Sequence, residues 1–386
     1  QPAGTHKGGY TSFSLDVTPY VTAGENTLFV AARDDVRSGL QPKGKQADQY
    51  YSSGCDYTRT TGIWQTVWLE FVPETYLQYA RYYPDPQNGC VTVSGLAKGE
   101  GTLRLTALWE GKPVGEKTIA VQDGFFTTQL DLEEIHLWEA GKGGLYTLLL
   151  SLENDQVSSY FGLRTVAFQG RKFLLNGKPL FQRFVLDQGF YPDGIYTAPT
   201  EEDLIQDITL SFAAGFNGAR LHEKVFEPRF LYHCDRLGYL VWGEFPNWGL
   251  DHSHPLATEI VLNQWSEAVE RDCNHPAIIG WCPFNETWGY HEEKEQNALL
   301  SSLYKLTKRL DPTRPCIDAS GNFRVLSEVY DIHDYDQNTE TFRQRWDSFT
   351  EKIRENGGSI PQDDAFFQDL PWGEHGKGPF FQQPYQ

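Results

Sequence analysis

The chain has 386 residues, with 52 acidic and 33 basic side chains and a formal charge of −19, a balance that argues against nucleic acid or an anionic membrane surface as partner. Apolar residues make up 39% and aromatics 14%, enough for a folded chain with two or three domains and sizeable cores. No apolar run approaches the roughly 20 residues of a membrane-spanning helix. The cysteines Cys55, Cys90, Cys234, Cys273, Cys282 and Cys316 are scattered without a CxxC pair. They read as reduced, mostly buried thiols and favour a cytoplasmic setting. Methionine is absent, position 1 included, and the sequence opens inside a strand-rich stretch. It reads as a piece of a longer protein, so the lack of a signal peptide is uninformative about compartment.

Residues 1 to about 165 show almost no helical period. FSLDVT, NTLFVAARD, TVWLEFV, GCVTVSG, GTLRLTALWEG, TTQLDL and GLYTLLLSLE are short runs rich in Val, Thr, Leu and aromatics, punctuated by Gly, Pro, Asn and Asp. This spacing predicts β-sandwiches, and Pro73 after WLEFV marks a seam between one over 1–72 and another over 73–166. After about residue 170 the pattern changes. Thr200 is a predicted N-cap with Asp203 three residues on, Leu204, Ile205, Ile208 and Phe212 form the apolar face, and Gly215 is the stop. Pro228 opens a second helix that Gly238 ends. A third carries Trp265, Ala268 and Val269, and QNALLSSLYKLTKRL is a fourth. Six strand-like stretches, from FLLNGKPLFQRFVLDQG through FNGARLH, YLVWGEF, AIIGWC and PCIDAS to VYDIHDYD, alternate with these helices. That alternation predicts a parallel sheet covered by helices.

A doubly wound sheet would carry a Gly-rich phosphate turn after its first strand, and DQGFYPDGIY is not one. In a barrel the chemistry gathers at the C-terminal strand ends. Here those ends read Asp187-Gln188, Arg220-Leu221-His222-Glu223, Glu244, Asn285-Glu286, Asp318 and His333-Asp334-Tyr335. Polar groups close nearly every strand, so a barrel is preferred. Phe173 to Gln386 falls short of the roughly 250 residues of an eightfold (β/α)8 barrel, and the last two strands are expected to be missing.

GGYTSFSLDVTPYVTAGENTLFV followed by TTGIWQTVWLE resembles the sugar-binding-like jelly roll that opens glycoside hydrolase family 2, the β-galactosidase, β-glucuronidase and β-mannosidase family. FLLNGKPLFQR resembles that family's entry into its barrel, LVWGEFP its third strand and HPAIIGWCPFNETWG its acid/base strand. The resemblance implies three domains: a jelly-roll sandwich over 1–72 lacking its N-terminal part, an immunoglobulin-like sandwich over 73–166, and a catalytic TIM barrel over 167–386 truncated after about six strands. It implies a retaining exo-acting β-glycosidase without a cofactor, β-galactosidase first and β-glucuronidase next. Its substrate would be a carbohydrate, and a homo-oligomer is left open. Glu286 matches the family's general acid/base. Asn285 would bind the hydroxyl next to the anomeric carbon, and His333 and Tyr335 would line the sugar site. Asp187, Arg220, His222, Glu244 and Trp281 complete the expected substrate-binding set. The chain departs from the family after its first strand (VLDQGFYPDG) and at its second, where Arg220 matches but His222 falls one position early and Glu223 takes the usual histidine place.

Retention needs two carboxyls about 5–5.5 Å apart, one of which holds a proton. Trp281, Phe284 and Trp288 are expected to wall off Glu286 and raise its pKa, while Trp242 and Trp248 offer flat faces to sugar rings. The family's nucleophile is expected just beyond Gln386; Glu374, in a Gly- and Pro-rich loop, is a poor match. Asp251, His252 and His254 have no fourth ligand in view, so no metal is expected. A non-catalytic carbohydrate-binding relative and a dinucleotide-binding α/β enzyme are the competing classes, the latter weakened by the missing glycine fingerprint.

Overall fold

The structure, a computed structural model, describes residues 1–287, 293–321, 325–329 and 331–358. Seven strands follow one another from residue 76: β1 (Tyr76–Asp85), β2 (Cys90–Lys98), β3 (Gly101–Trp109), β4 (Lys112–Val121), β5 (Gly124–Asp131), β6 (Tyr146–Leu152) and β7 (Asp155–Phe161). They form two antiparallel sheets, ordered β1-β2-β5 and β4-β3-β6-β7. The period of two on each strand decides the core. On β3, Leu103, Leu105 and Ala107 are fully buried and lie opposite Leu152, Leu150 and Leu148 of β6. Each such leucine contributes about 1.5–3 kcal/mol of burial.

A small antiparallel sheet leads out of the sandwich: β8 (Val166–Gln169), β9 (Lys172–Leu175) and β10 (Lys178–Pro179). Its second turn is Asn176-Gly177 with both φ positive, 53° and 72°, the backbone that a two-residue hairpin needs. Next come β11 (Phe184–Asp187), α1 (Glu201–Ala213), β12 (Gly218–Leu221), α2 (Pro228–Leu237), β13 (Leu240–Glu244), α3 (Pro255–Asp272), β14 (Ile278–Cys282), β15 (Phe284–Asn285), α4 (Glu293–Leu310), β16 (Ala319–Ser320) and α5 (Thr339–Glu355). β11 to β14 pair in parallel in chain order, and β15 pairs in parallel with β16. The caps follow the sequence: Thr200 and Asp203 form a reciprocal capping box on α1, Pro228 opens α2, and Gly238 closes it at φ 72°. His254, from the suspected metal cluster, caps α3 by accepting from the Leu256 N–H at 3.1 Å.

Sandwich and parallel sheet meet at the opposite end from the strand termini. Asp235 of α2 accepts from Tyr160 of β7 (2.9 Å), from His275 (2.6 Å) and from the Ala277 N–H (2.8 Å). The buried Arg164 donates to the carbonyls of Pro276 and Ile278. These bonds hold the start of β14 and leave its far end free for other work.

Three expectations need correction. Among the described residues, 1–75 hold only isolated bridges and no strand, so the expected jelly-roll sheet is not seen there. Leu28, Phe29, Val67, Leu69 and Phe71, which would need a facing sheet, are exposed; strand propensity without a partner ladder does not make a strand. Part of this segment does pack elsewhere: the Lys43 N–H donates to the Trp248 carbonyl at 2.8 Å and the Trp64 indole lies 4.6 Å from the Tyr196 ring. Second, among the described residues parallel strands occur at five of the six expected places. VYDIHDYD forms no ladder over its described residues 331–336; Asp331 instead reaches Ser320 with its carboxylate. Third, α5 is a helix that the sequence reading passed over. Asn338 caps it, and Phe342, Trp346 and Phe349 recur on one face.

Candidate active site

Glu286 follows β15, held by its own N–H donating to the Ser320 carbonyl at 2.9 Å. Its backbone is left-handed, φ 44°, a conformation non-glycine residues rarely take, and the residue is 7% exposed. Oε1 lies 2.6 Å from His333 Nδ1 and also accepts from the Tyr335 hydroxyl; both bonds fall on one oxygen. His333 and Tyr335, two residues apart, reach it together. Asp334 between them points the other way, to Arg345 (2.7 Å) and Trp346 (3.0 Å) of α5. Gly321, at φ 94°, leaves the room: a Cβ there would stand 2.6 Å from His333 Nδ1.

Arg220 of β12 joins the remaining parts. Nε donates to Glu244 Oε2 at 2.6 Å, Nη2 to Asn285 Oδ1 at 2.7 Å, and Nη1 lies 3.4 Å from His333 Nε2. Glu244 is sealed from solvent and its Oε1 accepts the Glu223 N–H at 2.9 Å. Burial raises the Glu244 pKa against the opposing pull of Arg220, while burial of Arg220 is overridden by that carboxylate, which keeps the guanidinium charged. Asn285 is clamped by Asn247, which accepts its N–H (2.7 Å) and donates to its carbonyl (3.1 Å); the Trp248 indole donates to the same carbonyl at 3.1 Å. Among the described residues the Asn285 Nδ2 makes no hydrogen bond that meets the distance and angle limits, though its side chain is near enough to His222 to act on that ring's titration.

His222 is 5% exposed beside Trp248, ring centroids 6.5 Å apart. Burial, then the charges of Arg220, Lys45 and His333, push its pKa down to about 2, so the ring is neutral. Glu223, fully buried at φ 54°, accepts the Trp248 N–H at 3.0 Å with Oε2, and its Oε1 has no partner among the described residues. Burial and the neighbouring Glu244 charge drive its pKa well up, opposed by the Trp248 N–H bond and by the Lys45 and Arg220 charges.

The structure thus gathers Glu286, Asn285, Arg220, His222, Glu244, His333 and Tyr335 in one cluster. Two expected members stand apart. Trp281 does not wall the site: its indole donates to Asp311 at 2.8 Å and packs edge-on against Trp265 of α3, 5.7 Å away. Strand alternation is the reason, since Cys282 is the neighbour whose thiol feels the Glu244 and Arg220 charges. Asp187 closes β11, but its carboxylate accepts the Gly189 N–H at 2.9 Å. Burial, opposed by that bond and helped by Asp207, raises its pKa to about 6. The aromatic platforms change as well. Trp242 is buried against Gly280 with its indole on Gln182, and one face of Trp248 is covered by the Lys45 ammonium, 3.4 Å from the ring centroid. Trp288 and Glu374 lie outside the described residues. A further correction concerns Glu286 itself. Burial raises its pKa as expected, but the His333 and Tyr335 hydrogen bonds and the His333 and Lys45 charges outweigh it, and the net shift is downward.

Sequence reading missed Lys45, Asn247 and Ser320, and gave Glu223 no role. Asn247, three residues past Glu244 in GEFPNWG, had a local signal. Lys45 had none, because it comes from the segment expected to fold apart.

Fold and cluster together define a β-sandwich joined to an α/β domain, with a buried carboxylate at the C-terminal rim of parallel strands. "Glycosyl hydrolases family 2" matches residues 82–164, and "Glycosyl hydrolases family 2, TIM barrel domain" matches 166–355. The chain belongs to this family. It is similar to a β-galactosidase of Thermoanaerobacterium thermosulfurigenes, 27% identical over 351 residues, covering 86% of this chain and 48% of that one. A rat β-glucuronidase is 28% identical over 346 residues, covering 80% and 51%. The chain therefore spans about half the length of these curated relatives. Among solved structures, apo β-glucuronidase 3 of Bacteroides uniformis aligns with a TM-score of 0.60 at 24% identity, covering 66% of this chain and 34% of that one, a likeness of fold. Among the described residues no helix is long and apolar enough to cross a membrane.

Proposed function

We propose that the protein is a retaining β-glycosidase acting on terminal β-linked sugars, with Glu286 as general acid/base; β-galactosides and β-glucuronides are the candidate substrates. One observation carries the reading: a buried carboxylate at a strand end has Oε1 anchored by His333 and Tyr335 while Oε2 has no hydrogen-bond partner among the described residues. Oε2 is the oxygen free to pass a proton to the departing glycosidic oxygen and to take one back from water in the second half-reaction. In the free site the anchors favour the carboxylate, the base form. A nucleophile carboxylate about 5–5.5 Å away would raise the pKa and load the proton for the first half-reaction. Glu244 does not suit that part, because Arg220 and the Glu223 N–H occupy its two oxygens. We place the nucleophile outside the described residues. Asn285, oriented by Arg220 and Asn247, offers its unpaired Nδ2 to a sugar hydroxyl.

The test is Glu286→Gln in the full protein. Hydrolysis of alkyl β-glycosides should fall by about 10²–10⁴-fold, while cleavage of dinitrophenyl glycosides, whose leaving group needs no proton, falls far less. Azide should restore turnover by giving the β-glycosyl azide. Equal rates for variant and parent on the alkyl substrates would end the assignment.

A further inference from the structure

Glu223 has no part in the proton transfer assigned to Glu286, yet it is fully buried beside it in the cluster. Its backbone is left-handed at φ 54°, a conformation that a non-glycine residue keeps only when its surroundings impose it. The turn lets one residue serve two neighbours. Its N–H donates to Glu244 Oε1 at 2.9 Å, and its side-chain Oε2 accepts the Trp248 N–H at 3.0 Å. Both contacts lead to Asn285. Glu244 holds the Arg220 guanidinium, whose Nη2 donates to Asn285 Oδ1 at 2.7 Å. Trp248 belongs to the loop 245–250 after β13, and that loop makes three bonds to the Asn285 main chain. Asn247 takes its N–H and donates to its carbonyl, and the Trp248 indole donates to the same carbonyl. The loop is itself tied down at Trp248, whose carbonyl accepts the Lys43 and Gly44 N–H groups at 2.8 and 3.2 Å. Glu223 supplies the tie from the end of β12. What Trp248 needs from it is an acceptor oxygen, which a carboxylate, a carboxylic acid or an amide provides alike.

We infer that Glu223 is a positioning residue of this site: through the Trp248 loop it sets where Asn285 presents its Nδ2 to the sugar hydroxyl next to the anomeric carbon. The inference rests on the glycosidase reading above and deepens it. Among the described residues Nδ2 makes no hydrogen bond, so its placement is what a sugar would read. A bond to that hydroxyl strengthens in the transition state, which makes small displacements of the amide costly. Glu286 is fixed separately, by Ser320, His333 and Tyr335, so losing the Glu223 tie should weaken the hydroxyl contact rather than the proton transfer.

The experiment measures kcat and KM of the full protein on a nitrophenyl β-glycoside that it cleaves and on the 2-deoxy analogue of that glycoside, for the parent, Glu223→Leu and Glu223→Gln. The parent should prefer the substrate that carries the hydroxyl. Glu223→Leu should cut that preference by roughly tenfold to a hundredfold, the scale of a small misplacement near the reacting atoms, and the loss should fall on kcat more than on KM. Glu223→Gln keeps an acceptor for the Trp248 N–H and should stay within a few-fold of the parent. The readout is a ratio, so a smaller folded fraction lowers both substrates alike and leaves it unchanged. If Glu223→Leu does not fold, Trp248→Phe should narrow the preference in the same way, since it cuts only the indole bond to Asn285 and keeps the N–H on Glu223. An unchanged preference, an equal loss on both substrates, or a Gln variant as impaired as the Leu variant would each overturn the inference and leave the glycosidase reading intact. If no glycoside is turned over, the glycosidase reading fails separately. Calorimetric binding of galactose against 2-deoxygalactose by parent and Glu223→Leu then decides the inference, with an absent or unchanged discrimination overturning it.

Discussion

Replacing Arg220 with methionine tests whether the guanidinium is the organiser of the cluster. The substitution removes a 2.6 Å ion pair to Glu244 and a 2.7 Å bond to Asn285 while keeping most of the side-chain volume. Glu244 is then a carboxylate with no solvent access and only the Glu223 N–H for company. Breaking one side of a buried pair typically costs about 3–5 kcal/mol, and that is the expected loss in urea unfolding at pH 8, followed by the fluorescence of Trp242, Trp265 and Trp281. The carboxylate has one escape, which is to protonate. Its pKa is already raised by burial and held back chiefly by Arg220, so in the variant it rises further. A folded-state pKa raised above the unfolded value gives stability that is present at low pH and lost as pH climbs through it. The deficit should therefore shrink at pH 6 and widen at pH 8. Adding Glu244→Leu should recover most of the loss, with a coupling of about 2 kcal/mol or more, because no charge is left stranded. A single-variant loss under about 1 kcal/mol, a deficit insensitive to pH, or additive losses in the double variant would each refute the reasoning.

Two further outcomes follow from the same geometry. Tyr335→Phe removes one of the two hydrogen bonds that hold the Glu286 pKa down. The acid form should persist to higher pH, and the alkaline limb of the kcat/KM profile should move up; a limb that stays or moves down contradicts the role of Glu286. His222 is neutral in the fold, with a pKa of about 2, whereas the unfolded chain takes up a proton near pH 6.5. Stability is thereby lost as pH falls below that value, by about 2 kcal/mol between pH 7.5 and 5. His222→Asn should flatten the acid side of the stability curve by that amount in urea titrations, and parallel curves for variant and parent would exclude the linkage.

What the sequence determined is what neighbours along the chain decide. Thr200 with Asp203, Pro228 and Gly238 set helix ends through bonds only a few residues long, and alternation on β3 and β6 declared a sandwich. Polar residues after apolar runs marked the strand ends where Glu286, Arg220, Glu244 and His333 meet. Tertiary structure decided what depends on which surface faces which. A period of two separates two faces without naming the inner one, so Trp281 turned to the helices and Cys282 to the site. The strand-like runs of 1–72 show the same dependence, since a β-ladder needs a partner and those runs lie unpaired. Burial pointed to a raised Glu286 pKa, but the sign was set by two hydrogen bonds from a segment that α5 anchors. Lys45 reaches the strand ends from the far end of the chain, a meeting that exists only once the backbone has folded.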